Sequence, residues 1–413
     1  MPSPRIGLAL AGGGPLGAIY EIGALCALEE ALGGLDFTQL AGYVGVSAGG
    51  FIAAGLANGL TPRRLCRGFI ENDGGTDDLV PPAIFVHPAW GEFGARLAAL
   101  PWRAAQVAWR VARGAATPLE AAERLAGALP TGLFRTAPIE AHLKRVFSLP
   151  GRSDDFRTLG RPLVLVATDL DAGTAAPFGL PGWDSVPISR AVTASAALPG
   201  LYPPVAIGGR HYVDGALKKT LHARVLLDQG MDLLLCLNPL VPFDAAHALA
   251  PDAVETGALG PAPALPPLVQ GGLPLVLSQT FRSLIHSRLE QGLRGYETSH
   301  PQVDIALFEP DRRDPALFGA NTFSYAARRR LAEHAYQATR ADLRRRRRAL
   351  EKMFARHGVR LDAAVLDDPA RRLVPQLALA SPPPATARPG ALGASLARLG
   401  AVLDTLEATL QPR

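Results

Sequence analysis

Three short stretches of this chain place reactive residue types at spacings that permit chemistry. Gly12, Gly13 and Gly14 interrupt an apolar run, and Gly12, Gly14 and Gly17 satisfy the spacing of a dinucleotide-binding turn. Gly45-Val46-Ser47-Ala48-Gly49 sets a serine in a G-x-S-x-G pattern. Further along, Asp214 follows His211-Tyr212-Val213 and precedes Gly215-Ala216. The glycines alone leave two chemistries open, because amide N–H groups on a bare loop can cradle a pyrophosphate or face the oxyanion of an acyl transition state. A dinucleotide site also needs an acidic residue after the second strand to hold the ribose. Here Asp36 precedes that strand, and the residues after the strand are Gly45, Val46 and Ser47. The glycines therefore read as oxyanion donors, with Gly13 and Gly14 the best placed and the Ala48 amide a third; Pro15 has no N–H to give.

A serine hydroxyl needs a base. His211, His222 and His286 read as surface or structural side chains. Asp214 sits in a tight turn after a strand, where its carboxylate can project toward the serine, although an Asp-Gly turn is also a common structural device.

These residues need a frame. Arg5 to Leu10 reads as a buried strand, GGG as its turn and Pro15 to Ala31 as a helix, with proline in the first turn where a missing N–H is tolerated. A second strand at about Leu40 to Val44 runs into GVSAGG and a small-residue helix to about Asn58. Strand–turn–helix repeated in this way predicts a parallel sheet with both turns at one edge, which places Ser47 beside the glycine loop. Pro162 to Leu170 and Met231 to Asn238 read as further strands, and a strand runs into Asp214. Residues 250 to 275 read as a loop or linker, Arg328 to Phe354 as one or two helices, and 377 to 393 as an extended tether. The tether leads to a last helix capped by Ser395, with leucines at 396, 399, 403, 406 and 410.

In this order GGGPLG at 12–17, GVSAG at 45–49, ASAALPGLYPPV at 194–205 and DGA at 214–216 resemble the patatin-like phospholipase family over about residues 5 to 240. The resemblance implies a three-layer α/β/α fold with a mostly parallel central sheet and added helical segments. It implies a Ser-Asp dyad of Ser47 and Asp214, an oxyanion hole from Gly12, Gly13, Gly14 and Ala48, and structural roles for Gly17, Gly45, Gly49, Gly215 and Ala216. It also implies hydrolysis of lipid acyl esters with neither cofactor nor metal. Leu16 stands where many relatives carry Lys or Arg, so a neutral or polyester substrate stays open, as does a lipid-binding protein without activity. The expected organisation is a catalytic domain at 1–310 with a cap-like helical insertion at about 76–130, a helical region at 311–375, and a tether with a terminal helix at 376–413.

Composition bounds the rest. The 413 residues are 48% hydrophobic, which fills a sizeable core, and carry a formal net charge of +5. Cys26, Cys66 and Cys236 match no metal or redox spacing and read as free thiols of a reducing compartment. The basic balance favours anionic partners, but no nucleic-acid-binding signature accompanies it. Instead Trp90, Trp102 and Trp109 alternate with Arg96, Arg103 and Arg110, a pattern that suits peripheral contact with an anionic membrane. Arg344 to Arg348 reads as a solvated helix face. With no leader-like or spanning apolar run, the expected location is cytoplasmic, peripheral to membrane.

Overall fold

The apolar pentapeptide Ile6–Leu10 (β1) is buried along its whole length, as a strand must be when both faces of its sheet are covered. In this computed structural model the described residues are 3–72, 78–89, 131–248, 267–318 and 325–374, with scattered positions between 102 and 120. Residues 1–375 form one compact unit and 376–413 a second, which lies outside the described residues together with its tether, Ser395 and leucine stripe.

β1 leads through the glycines into helix α1 (Gly14–Ala31), with proline in its first turn. After the two-residue strand β2 (Leu32–Gly33), β3 (Gly42–Gly45) runs into α2 (Ala48–Ala57). Helix α3 (Ala137–Phe147) precedes β4 (Leu163–Asp169) and β5 (Thr174–Phe178). Then come α4 (Ile188–Ser195), β6 (Val205–Ile207), β7 (Arg210–Asp214) and β8 (Leu233–Leu237). The chain continues through α5 (Gly272–Ser299), β9 (Asp304–Phe308), α6 (Tyr325–Arg345), α7 (Arg347–Ala355) and β10 (Arg360–Leu361), which pairs with β2.

The main sheet has eight strands in the order β6-β7-β4-β3-β1-β8-β9, with β5 also on β4. The neighbours β4, β3, β1, β8 and β9 are parallel, whereas β5, β6 and β7 join by antiparallel pairing. One face of the sheet, through Ala9, Val44, Val166 and Leu234, packs on residues 221–231 and on Leu289 and Tyr296 of α5. The alternate residues, Leu8, Leu10, Tyr43 and Leu165, are equally buried on the other face, where α1 and α2 lie. The expected α/β/α layering and mostly parallel sheet are what the chain forms. Several elements were not anticipated, among them the short strands β2, β5, β6 and β10, helix α3, and two larger ones. The stretch read as a loop to residue 275 gives way at Gly272 to a 28-residue helix, and β9 extends the parallel sheet by one strand.

The flanks of β4 decide where the site forms. β5 pairs with Leu165 through Asp169, overlapping the positions of β4 that pair with β3 and with β7. A strand has only two flanks, so β3 and β7 must share the one that β5 leaves free. They run toward each other along it: β3 ends with Gly45 opposite Leu165, and β7 ends with Asp214 opposite Ala167. Only Val166 separates the two strand ends.

Candidate active site

That abutment brings the turn after β3 against the turn after β7. Ser47 occupies the first at φ 52° and ψ −120°, a left-handed conformation in which a non-glycine residue is strained. Its neighbours make the turn possible. A Cβ on Gly45 would lie 2.6 Å from the Gly49 carbonyl oxygen, and one on Gly49 would lie 2.4 Å from that of Ala11. The Gly49 N–H donates to the Ala11 oxygen at 3.0 Å, so the first turn of α2 is tied to the start of the glycine loop.

Asp214 closes the other side. Its Oδ1 accepts from the Ala216 N–H at 2.8 Å, its own N–H donates to Ala197 O at 3.0 Å, and its carbonyl accepts from Thr168 Oγ1 at 3.1 Å. The Ser47 hydroxyl lies close enough to this carboxyl to act on its ionisation. Burial raises its pKa to about 6, against the opposing pull of the Ala216 N–H and the serine hydroxyl. Gly215 is required here because a Cβ would fall 2.1 Å from Val166 O.

The glycine loop lies directly over this pair. A Cβ on Gly12 would lie 3.0 Å from Ala216 Cβ and 3.3 Å from Ser47 Cβ, so its backbone is wedged between the two turns. Gly14 adopts φ 59°, and Gly13 and Gly17 pack on the Pro239 ring, where side chains would approach to 2.8 and 3.0 Å. Among the described residues no acceptor is found for the N–H groups of Gly12, Gly13, Gly14 or Ala48. Those of Gly14 and Ala48 open helices α1 and α2, whose dipoles favour negative charge at this point.

One member of the site escaped sequence reasoning. The Ser195 hydroxyl accepts from the Ser47 N–H at 2.8 Å and donates to Val166 O at 2.6 Å, which pins the strained turn to β4. Its only sequence signal is its place in ASAALPGLYPPV, one small polar residue among small apolar ones. The three histidines weighed as the base have other partners, His222 the backbone of Gly215 and Lys219. His211 meets Asp171 at 3.3 Å on the exposed edge, His286 lies between Glu290 and Glu309, and His222 is buried, with its pKa pushed down to about 4. Among the described residues, no group of three or more His, Cys, Asp or Glu side chains is arranged to hold a metal ion, and no helix is long and apolar enough to cross a membrane.

Of the tryptophan–arginine pattern, Trp102 and Trp109 are exposed, Arg110 is exposed beside them, and Arg113 stacks 3.8 Å over the Trp109 ring. Trp90, Arg96 and Arg103 lie outside the described residues.

Comparison with known proteins agrees with this geometry in one respect. The model of the patatin-like phospholipase family matches residues 8–227, which include every residue of the serine–aspartate–glycine arrangement. No curated protein matches the chain. Similar solved structures include VipD from Legionella pneumophila, 14% identical, with 83% of this chain and 67% of that chain covered and a TM-score of 0.35. Another is the heterodimeric ExoU–SpcU complex of the type III secretion system of Pseudomonas aeruginosa, 18% identical, with 71% of this chain and about half of that chain (52%) covered and a TM-score of 0.26.

Proposed function

Because this chain belongs to the patatin-like phospholipase family, a family of lipid hydrolases, we propose that it cleaves carboxylic esters of lipids through an acyl-serine intermediate on Ser47. The observation that carries this reading is the Asp214 carboxyl held beside the Ser47 hydroxyl under a loop of unpaired amides.

That arrangement dictates the chemistry. Asp214, ionised, takes the proton of the Ser47 hydroxyl as its oxygen attacks the ester carbonyl carbon. The carbonyl oxygen gains the negative charge and is held by the amides of Gly12, Gly13, Gly14 and Ala48, which have no other acceptor among the described residues and so need little reorganisation. Collapse of the tetrahedral species breaks the C–O bond, and the leaving alcohol takes the proton from Asp214. A water then gives its proton to Asp214 and attacks the acyl-serine; the bond to Ser47 Oγ breaks, the serine oxygen takes the proton back from Asp214, and the fatty acid is released. A carboxyl with a pKa of about 6 is a stronger base than an ordinary aspartate and is still ionised at neutral pH. The half-buried Leu16 next to the loop supplies no cation for a headgroup, which favours an uncharged ester as the second reading of the substrate.

Fluorophosphonate labelling of the full chain, followed by assay on phospholipid, neutral glyceride and polyester, tests the proposal. The label is expected on Ser47, with turnover falling by a factor on the order of ten thousand or more in Ser47→Ala. Undiminished turnover in that variant would overturn the assignment.

A further inference from the structure

Helix α5 carries two apolar stripes, one buried and one exposed. Ile285, Leu289 and Tyr296 are buried on the inner face. Leu273, Val276, Leu277, Phe281 and Leu284 project from the other, each 40% to 70% exposed. At 3.6 residues per turn these five form one stripe, about a third of a turn away from the inner set.

The stripe begins about one helical turn from the level of the Asp214 turn. Arg288 donates to Leu217 O at 3.0 Å, which fixes that level of the helix three residues beyond Asp214. The helix runs on to β9 at the amino edge of the sheet, so its earlier turns project past the carboxyl edge, where Gln279 exchanges hydrogen bonds with Phe243 at 3.0 and 2.7 Å. At 1.5 Å per residue, Leu284 to Leu273 lie about 6 to 22 Å beyond the catalytic turn.

On this part of α5 the formal charges are all positive. Between residues 267 and 289 the sequence has no Asp or Glu, and contains Arg282 and Arg288. Across the same edge Arg346 stacks 5.1 Å over Phe308, the last residue of β9. It belongs to the turn between α6 and α7, where a recess of about 570 Å³ is lined by Arg344 to Arg348, Ala349 and Asp367. Asp342 takes Arg345 and Arg346, and Asp367 takes Arg347, so guanidinium outnumbers carboxylate.

We propose that this edge docks on an anionic lipid bilayer, with the outer stripe of α5 entering the interface and the arginine turn meeting headgroup phosphates. A convex apolar ridge beside a cationic turn matches a surface that is apolar below and negative above. Ser47 is only 5% exposed, so a substrate must be delivered to it from the side on which the crevice opens. The inference rests on the proposed lipid hydrolase for that delivery and deepens it by naming the surface from which substrate comes.

Binding is measured apart from turnover, using the full chain as Ser47→Ala in flotation with vesicles of phosphatidylcholine, with or without phosphatidylglycerol. Partitioning is expected to rise about tenfold with the anionic lipid, and to fall about tenfold in Leu277→Glu/Phe281→Glu and again in Arg344→Gln/Arg348→Gln. With Ser47 intact, the stripe variant should lose turnover on vesicles and keep its melting temperature and its turnover of a soluble short-chain ester. Equal flotation with both vesicles, or undiminished binding in the stripe variant, overturns the proposal. So does a wild-type dimer that the stripe variant converts to monomer, since a second copy would then cover the stripe. Binding retained by a chain that hydrolyses no ester upholds the surface and overturns the reading of the site.

Discussion

Helices α1 and α5 both carry more apolar surface than a single contact face buries, and the fold treats them differently. α1 lies on the sheet and is covered a second time by α6, which approaches so closely that a Cβ on Gly23 would lie 2.4 Å from the Ala332 carbonyl oxygen. Its buried positions therefore run round the whole helix. α5 has the sheet on one side and, along its first three turns, an exposed apolar stripe on another. Such a pattern implies two covering surfaces. On the glycine-loop side the chain supplies both, with backbone-to-backbone contacts that leave no slack around Ser47. On the α5 side it supplies one, and the proposed second is lipid.

Tight contact on one side and an open face on the other should respond differently to substitution. The largest loss of stability is expected at Gly49→Ala, where the new methyl meets Ala11 O at 2.4 Å and Leu10 O at 2.6 Å, all rigid backbone. Chemical denaturation should record a loss of about 3 kcal/mol, and displacement of the glycine loop should lower kcat on the order of a hundredfold.

Asp214→Asn keeps an acceptor for Ala216 N–H and removes the base, so turnover should vanish while stability changes with pH. An acid whose pKa rises from 3.8 to about 6 on folding favours the folded state below pH 3.8 and loses that advantage as pH climbs through about 6. Relative to wild type, the variant should therefore gain about 3 kcal/mol at pH 8 and nothing at low pH, read by denaturation at both. In the wild type, the same ionisation should give kcat/KM an acidic limb near pH 6 with a plateau above it.

Ser195→Ala leaves the buried Ser47 N–H without its acceptor, which should lower stability by about 1–3 kcal/mol. Steady-state kinetics should show kcat reduced on the order of tenfold with KM nearly constant, because the turn loosens while the lipid path is untouched. The smallest effect belongs to the open side: Leu277→Ser, at a position 44% exposed, should shift stability by no more than about 0.5 kcal/mol. A loss near that of Gly49→Ala would mean that α5 is covered twice after all, and would remove the contrast between the two helices.

Much of the glycine-loop side was legible in the sequence, because close backbone approach demands glycine and glycine spacing is visible. β1, the loop, α1, β3 and the serine turn formed where the pattern put them, and Ser47 and Asp214 fall on adjoining turns. The register that joins them was not legible. That β7 would return antiparallel along the flank of β4 already used by β3 depends on pairing between distant segments, for which no local signal exists. Ser195 was hidden for a related reason, since its partner is a backbone N–H 148 positions away. α5 was missed because its first turn, with Gly272 and Pro274, continues a Pro/Gly/Ala-rich stretch, and a proline there is as compatible with a helix start as with a linker.

The shared flank of β4 works like a single rail carrying two tools. Both reactive groups are mounted on strands hydrogen-bonded to the same seven-residue segment, one peptide unit apart at Val166. Shifts of the outer helices, including any caused by settling on a surface, carry both mounts together and leave the gap between hydroxyl and carboxyl unchanged. The rim can thus be soft and adaptable while the working distance stays set by one covalent spacing in the middle of the sheet.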